Sequence, residues 1–595
     1  MRKLRKEKRK RTIWPYIQAI PEIVLYEAVS KVILISLVFV LKKLMMWSIY
    51  RMGKVAVSSG DFAFIFKSPY GWLAILTAII LCAVYVAFDI NVIVNYAGEK
   101  VKERPTVIWK IVLESLTESA RFFTPGGLLV LLYVGLIAPV VGVGMSISLT
   151  RNLYLPNFIS SVIDADPLYN VMYTLFTLLM LAVGALGIFT IHGMVIDHVA
   201  PVKSFVMSSR MVIKNFRNIV KQLLLFFLKF ALIDSLITVS VLLIPGLMML
   251  FGTSVNEGAG KYGAIAFILF VVLLGMGSSF LLLPLLTMKL TQLYYQYNEN
   301  VPMALKTQPV DNIKQMVFAI IAAYLCCWVV TYTIHENFEL FFPAEISADL
   351  IGHRGAGTEG GENTLSGIDK AIELGCYGTE IDIQRTADGH YILNHDNTFK
   401  RVANDSRRPS EMTLEEIKSL RLISAEGNEK VPTIEEVLDH ANGKIVLFIE
   451  LKGATADRKM CDDVVKMIKD RSMEKDCVLI SLKYNLIDYI EDNYPEIETG
   501  YLAFITLGNV GALNCDYIGL EEEAATNTAI DAAHENGRKV MVWTPNSTSS
   551  QRRFLISRAD AIITDNTTQA NDLFSELLNR DDFTRMIDTV VNYFF

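Results

Sequence analysis

Four pairs of polar residues recur at one kind of place in the last 250 or so residues of this 595-residue sequence: His353-Arg354, Glu380-x-Asp382, His395-Asp396 and Glu450-x-Lys452. Each follows or ends a short β-prone run, LIGH (350–353), TEIDI (379–383), HYILN (390–394) and KIVLFIEL (444–451). Residues two apart on a strand face the same way, so Glu380 and Asp382 share a face. Two carboxylates forced together repel each other unless a cation neutralises them, so the pair implies a bound metal. All-oxygen donors favour Mg²⁺ or Ca²⁺ over zinc, with Mn²⁺ also compatible, and Glu450 is the natural third ligand. One divalent cation is therefore expected, held by Glu380, Asp382 and Glu450. A lone histidine after a strand is more often structural than catalytic.

These groups need a scaffold that brings strand ends together. Further β-prone runs follow at CVLISL (477–482), TGYLAF (499–504), DYIGL (516–520), KVMVW (539–543) and AIIT (561–564). Helical patterns separate most of them, at 364–374, 433–441, 457–470, 485–493 and 526–536. Alternating strands and helices over about 245 residues predict a parallel α/β fold of TIM-barrel type. In such a barrel the C-terminal strand ends converge on one mouth. Nine strand candidates compete for eight places. The Asp388-Gly389 turn, a strong hairpin signal, makes HYILN the extra one.

The order and spacing of these residues resembles the glycerophosphodiester phosphodiesterase family. The matching positions are His353-Arg354-Gly355, Glu362-Asn363-Thr364 nine residues after the histidine, Glu380-x-Asp382 and Asp388-Gly389. His395-Asp396, Glu450-x-Lys452, Trp543-Thr544 and Ile563-Thr564-Asp565 complete the pattern, over residues 348 to 575. The resemblance implies Glu380, Asp382 and Glu450 as metal ligands and His353 and His395 as the acid–base pair, with His353 the base and His395 the acid. It implies Arg354 and Lys452 as phosphate contacts. Glu362 is expected to support the site by hydrogen bonding or to join the metal, and Trp543 to be barrel core or an apolar wall beside glycerol. Asp396 is expected to orient its neighbours. The reaction implied is hydrolysis to sn-glycerol 3-phosphate and an alcohol. The attacking oxygen belongs to water or, through a cyclic phosphate, to the glycerol 2-hydroxyl. Gly361 stands where the family often has proline, Leu482 replaces the usual phenylalanine, and Pro545 follows Trp543-Thr544. The stretch 401–432 matches the family's small insertion and is expected to cover part of the mouth.

The first half of the chain has a different composition. Hydrophobic residues make up 52% of the whole, and they concentrate between residues 25 and 334. A bilayer core about 30 Å thick needs about 20 apolar residues per helix. Seven stretches qualify, near 25–49, 72–95, 126–149, 171–192, 223–251, 264–288 and 316–334. Two basic amphipathic segments, near 106–122 and 203–221, read as interfacial helices. This half resembles the membrane domain that accompanies the enzyme in some Gram-positive bacteria. The expected organisation is a basic cytoplasmic tail (1–24), a transmembrane helical domain (25–334), a linker (335–347) and the TIM-barrel phosphodiesterase domain (348–595).

Eight of the first eleven residues are Lys or Arg. Lysines and arginines also crowd alternate loops at 100–121, 203–221 and 289–314. With those loops inside, the N-terminus is cytoplasmic and seven crossings put the catalytic domain outside. The seven cysteines lie in no CxxC or Cys/His metal spacing and read as small buried hydrophobes. Four of them fall in the exported domain, which sits awkwardly with an oxidising compartment. Asp89, Lys229 and Asp234 are ionisable groups at membrane depth, either functional or satisfied within an anchoring bundle.

The net charge of −6 averages two unlike halves and names no partner. The expected partners are the bilayer and a glycerophosphodiester or glycerophosphate-polymer substrate of lipoteichoic-acid type, with no nucleic acid. Nothing sets an oligomeric state. A lysophospholipase D is a further reading. A degenerate barrel serving a transporter or sensor is the non-enzymatic one, and the full set of expected polar positions weighs against it. The 14 residues after the last span enter the barrel opposite its mouth and reach about 45–50 Å at most. The mouth is thus expected to face away from the bilayer, unless Phe338, Phe341 and Phe342 rest the barrel sideways on the interface.

Overall fold

The computed structural model describes residues 14–54, 56–58, 65–102, 107–137, 163, 166–254, 256–298, 313–344, 346, 348–423, 429–504 and 506–594. The chain forms two compact units. One comprises Met1–Leu41 with Ile75–Phe338, the other Lys42–Ala74 with Glu339–Phe595.

Among the described residues, five helices are long and apolar enough to cross a membrane: Ala19–Arg51, Pro69–Val101, Pro167–Leu186, Pro201–Ser254 and Gly258–Tyr297. Two shorter apolar ones are Pro125–Gly135 and Ile320–Glu336. All seven expected stretches overlap these helices, and the one near 171–192 runs past Leu186 into a separate short helix, Thr190–Val195. The one near 126–149 runs past residue 137 into residues outside the described part. The basic segment near 203–221 is not a separate interfacial helix. It is the first half of one continuous helix, Pro201–Phe251. No proline or glycine interrupts 202–222, so nothing breaks the backbone ladder there. The segment near 106–122 does form its own helix, Ile108–Glu118. The tail's residues 1–13 lie outside the described part, and the first helix already begins at Trp14.

Helix starts follow their local chemistry. The Asp166 carboxylate accepts from the backbone N–H groups of Leu168 and Tyr169, with Pro167 as first residue. Asn256 caps the next long helix through Ala259 N at 2.6 Å. The polar groups at membrane depth have neighbours. Tyr26 and Ser30 hydroxyls each donate to Asp89 at 2.8 Å, and Ser278 donates to Asp234. Leu232, Leu236, Val239 and Leu243 stand exposed along Pro201–Phe251, as a lipid-facing surface requires.

In the second unit the strands are β1 (Ala56–Ser58), β2 (Asp349–Gly352), β3 (Gly378–Arg385), β4 (Tyr391–Leu393), β5 (Val446–Leu451) and β6 (Cys477–Ser481). They continue as β7 (Glu498–Ala503), β8 (Thr506–Gly508), β9 (Tyr517–Glu521), β10 (Lys539–Trp543) and β11 (Ala561–Thr564). Strands β2, β3, β5, β6, β7, β9, β10 and β11 pair in parallel, and β2 also pairs with β3, closing an eight-stranded barrel. The expected surplus strand is β4, which pairs antiparallel with β3 outside the barrel. The five predicted helices appear at Leu365–Glu373, Ile434–Ala441, Arg458–Lys469, Tyr484–Asn493 and Asn527–His534. Within the insertion, Phe399, Met412, Ile417, Leu422 and Val431 build a small core on Ile392. Cys376, Cys461, Cys477 and Cys515 are buried free thiols.

Candidate active site

The barrel's interior explains which side chains reach its mouth. Ile351, Phe448, Val478, Ile480, Leu502, Tyr517, Met541, Ala561 and Ile563 pack together. A Cβ on Gly378 would lie 2.8 Å from the Phe448 ring, so Gly378 faces the same space. Side chains alternate along a strand. Continuing each inward series past this layer gives His353, Glu380 and Asp382, Glu450 and Lys452, Leu482, Phe504, Glu521, Trp543 and Asp565. These line the C-terminal rim, where TIM-barrel sites are built. One arc is charged and the opposite arc is largely apolar.

Glu380, Asp382 and Glu450 are 4%, 0% and 5% exposed. One oxygen from each lies within 4.8 Å of the others, because β3 and β5 run in register with Asp382 opposite Glu450. At that spacing two unit charges repel by about 3–4 kcal/mol at an effective dielectric near 20. Counter-charge comes from Lys452, whose Nζ is 2.8 Å from Glu450 and 3.0 Å from Asp382. Arg354 Nε lies 3.8 Å from Asp382. Burial and the neighbouring Asp382 and Glu450 push Glu380 well above the usual carboxylate range. Burial raises Glu450 to about 7 against the pull of Lys452. Asp382 goes the other way, since Lys452, His395 and Arg354 outweigh its burial. Two basic groups do not suffice for three buried acids when Arg354 is shared with Glu362 at 2.9 Å. Three converging oxygen donors with unmet negative charge fit a hard divalent cation.

The backbone is shaped around this trio. Arg354 N donates to Glu380 Oε2 at 2.9 Å from a left-handed turn, φ +51°. Gly357, φ +65°, runs against Asp565, where a Cβ would sit 2.1 Å from the carbonyl oxygen. Only glycine fits there. Asn363 clamps Asp382 twice, donating Nδ2 to Oδ2 and accepting from the backbone N, both at 2.9 Å.

Each histidine is held from Nδ1 by a carboxylate. His353 meets Asp565 Oδ1 at 2.6 Å, and Asp565 is held by Asn546 Nδ2 at 2.7 Å. Its other nitrogen, Nε2, lies 3.9 Å from Glu380. His395 meets Asp396 at 2.8 Å. Gln384 Nε2 fixes that loop by donating to the carbonyls of Asn394 and Asp396, both at 2.8 Å. An Nδ1–H bonded to a carboxylate leaves Nε2 as the proton-exchanging atom. Burial lowers His395, opposed by Asp382 and reinforced by Lys452 and Arg354.

Glu362 stands outside the acidic trio. It accepts from Arg354 and, through both oxygens, from Arg401 at 2.5 and 2.7 Å. Those cations hold it below the usual range against its burial. Arg401 Nε also reaches Asp396 at 2.8 Å, so one guanidinium ties the Arg354 side of the mouth to the His395 side. Across the mouth, Phe504 and Trp543 rings meet edge to face at 4.8 Å, and burial raises Glu521 to about 7.

All nine residues singled out from sequence thus border one mouth. Asn363, Arg401, Gln384 and Glu521 were given no role there, and Asp565 was noted only as part of a motif. The strand-end rule that found Glu450 would also have found Glu521. Arg401 gives no such signal, since it is one of several basic residues in the insertion.

Residues 353–569 match the glycerophosphoryl diester phosphodiesterase family, and residues 17–334 match the membrane domain of glycerophosphoryl diester phosphodiesterase. The glycerophosphodiester phosphodiesterase of Caldanaerobacter subterraneus subsp. tengcongensis is 28% identical over 231 residues, 36% of this chain and 93% of that one. Human glycerophosphodiester phosphodiesterase 1 is 37% identical over 110 residues, 17% of this chain and 33% of that one. Among solved structures, a phosphodiesterase from Oleispira antarctica, in complex with the product sn-glycerol-3-phosphate, matches with TM-score 0.36 and 22% identity. The match covers 38% of this chain and 96% of that one.

Proposed function

The chain belongs to the glycerophosphoryl diester phosphodiesterase family, in its membrane-domain form, and on that premise we propose that it cleaves glycerophosphodiesters to sn-glycerol 3-phosphate and an alcohol at a metal-assisted, two-histidine site outside the cytoplasm. The observation that carries this reading is the buried trio Glu380, Asp382 and Glu450, with too little protein counter-charge, set between two carboxylate-held histidines.

Glu380, Asp382 and Glu450 hold the divalent cation, Mg²⁺, Ca²⁺ or Mn²⁺. When bound, it offsets negative charge on the phosphate. Arg354 and Lys452 add fixed positive charge beside that phosphate, preorganised by their carboxylate partners. His353 takes the proton of the attacking hydroxyl, of water or of the glycerol 2-position, on Nε2. Asp565 stabilises the resulting imidazolium. His395 delivers a proton to the departing alkoxide, and its lowered proton affinity suits a donor. Glu362 and Asp396 position Arg354 and His395. Trp543 and Phe504 form the wall against which the glycerol or alcohol packs.

The domain limits follow the same reading: a basic tail (1–24), the membrane domain (25–334), a linker (335–347) and the barrel (348–595). The loop charge pattern supports an N-terminus in the cytoplasm and a barrel outside. Released sn-glycerol 3-phosphate, measured from a panel of glycerophosphodiesters with and without EDTA, tests the proposal. Metal-dependent release abolished in His353→Ala is expected, and undiminished release by that variant contradicts it.

A further inference from the structure

Strand β1 lies between the first two membrane helices in sequence, yet it pairs with the barrel. Ala56, Val57 and Ser58 run antiparallel to Gly508, Leu507 and Thr506 of β8, and Ala56 packs on the barrel's outer core. Strand β8 begins three residues after β7 ends at Ala503, at the C-terminal end of that strand. The paired segment therefore belongs to the rim of the mouth, next to Phe504 of the apolar wall.

The sequence on both sides of β1 is tied to a bilayer interface. Trp47 and Tyr70 rings meet edge to face at 5.8 Å, with the Arg51 guanidinium over Trp47 at 5.6 Å. Trp72 donates to the Phe66 carbonyl at 2.9 Å. Half-exposed Trp and Tyr beside a cation at the ends of apolar helices mark the headgroup level. Four residues separate Arg51 from Ala56, a reach of about 17 Å at full extension.

We infer that β1 tethers the barrel's rim at the bilayer surface, so that the mouth receives glycerophosphodiesters anchored in that leaflet. This rests on the phosphodiesterase reading and names its substrate class. The tether also puts the barrel on the same side of the membrane as the loop between the first two helices. The chain enters β2 from the opposite end of the barrel, 13 residues after the helix ending at Glu336. The shared substrate chemistry is a glycerophosphodiester with a lipid tail. A single-chain lysophospholipid and a lipid-anchored glycerophosphate polymer both have it. For either, water adds to phosphorus, the bond from phosphorus to the alcohol oxygen breaks, and that oxygen takes up the proton.

The test uses the full-length chain in lipid nanodiscs. Ser58→Cys combined with Thr506→Cys is expected to cross-link within one chain with a short bis-maleimide, and neither single variant is. Val57→Pro, which removes a strand N–H, is expected to lower kcat/KM at least tenfold on lysophospholipid or lipid-anchored polyglycerophosphate in the same bilayer. Turnover of glycerophosphocholine in solution should change less than twofold. Absence of the cross-link overturns the inference, as does an equal effect of Val57→Pro on anchored and soluble substrates. No turnover of either anchored substrate, with glycerophosphocholine still cleaved, overturns it while leaving the phosphodiesterase reading intact. Loss of all turnover by the unmodified chain sinks that reading instead.

Discussion

Both halves of the molecule bury charged groups, and they treat them in opposite ways. In the helical unit Asp89 accepts from two hydroxyls, Asp234 from Ser278 and Asp197 from Tyr294 and Asn298. Each acid has uncharged donors close by, and the buried Glu27 near Asp89 is paired with Lys31 at 3.6 Å. In the barrel three acids share one space and repel one another, with Lys452 and Arg354 drawn in as partial compensation. A satisfied acid costs little and fixes packing. A crowded one costs stability and persists where a ligand restores it. The contrast separates structural polarity from polarity kept for chemistry.

The strongest way to break that comparison is to remove acids one at a time. Glu380→Ala or Asp382→Ala should lower kcat by about 10³-fold or more, since charge stabilisation at this position is usually the largest catalytic contribution. Asp89→Asn, by steady-state assay in the same lipid, should change it less than twofold. Asp565→Asn keeps the shape of its site but presents the wrong partner to His353 Nδ1. A loss of about 10²-fold in kcat is expected, with KM little changed. Arg401→Ala unties Glu362 from Asp396 without touching the reacting groups. It should cost about tenfold in kcat/KM, and Arg401→Lys should recover little, because the forked contacts need a guanidinium. The smallest effect is the sharpest in sign. In EDTA, Glu380→Gln relieves repulsion and should raise the melting temperature by about 2–4 °C, while Asp89→Asn should lower it. A fall in both would erase the distinction between the two regions.

Much of the barrel was legible because short β-prone apolar runs ending in charge have few structural explanations. Glu380, Asp382 and Glu450 announced themselves through strand spacing, and Asp388-Gly389 correctly marked β4 as the strand outside the closed ring. Contacts made between distant loops were not legible. Arg401 meets Glu362 across 39 residues and Asp565 meets His353 across 212, and no local pattern encodes either. The helical half shows a different blind spot. Basic residues at helical spacing near 203–221 suggested a helix ending at the interface, but helix propensity continues unbroken into the next span. Charge pattern alone does not mark a helix end. Strand β1 was invisible for a third reason: three residues gain strand conformation only through their partner β8.

We propose that the acidic trio is a cation site serving both histidines. Its most direct test is titration of the chelator-stripped, full-length protein with Mn²⁺, followed by electron paramagnetic resonance of the free ion alongside release of sn-glycerol 3-phosphate. One ion bound per chain, recovery of turnover with the same saturation curve, and loss of both in Glu380→Ala with Asp382→Ala are expected. Full turnover in the stripped protein, or unchanged binding in that double variant, would contradict it.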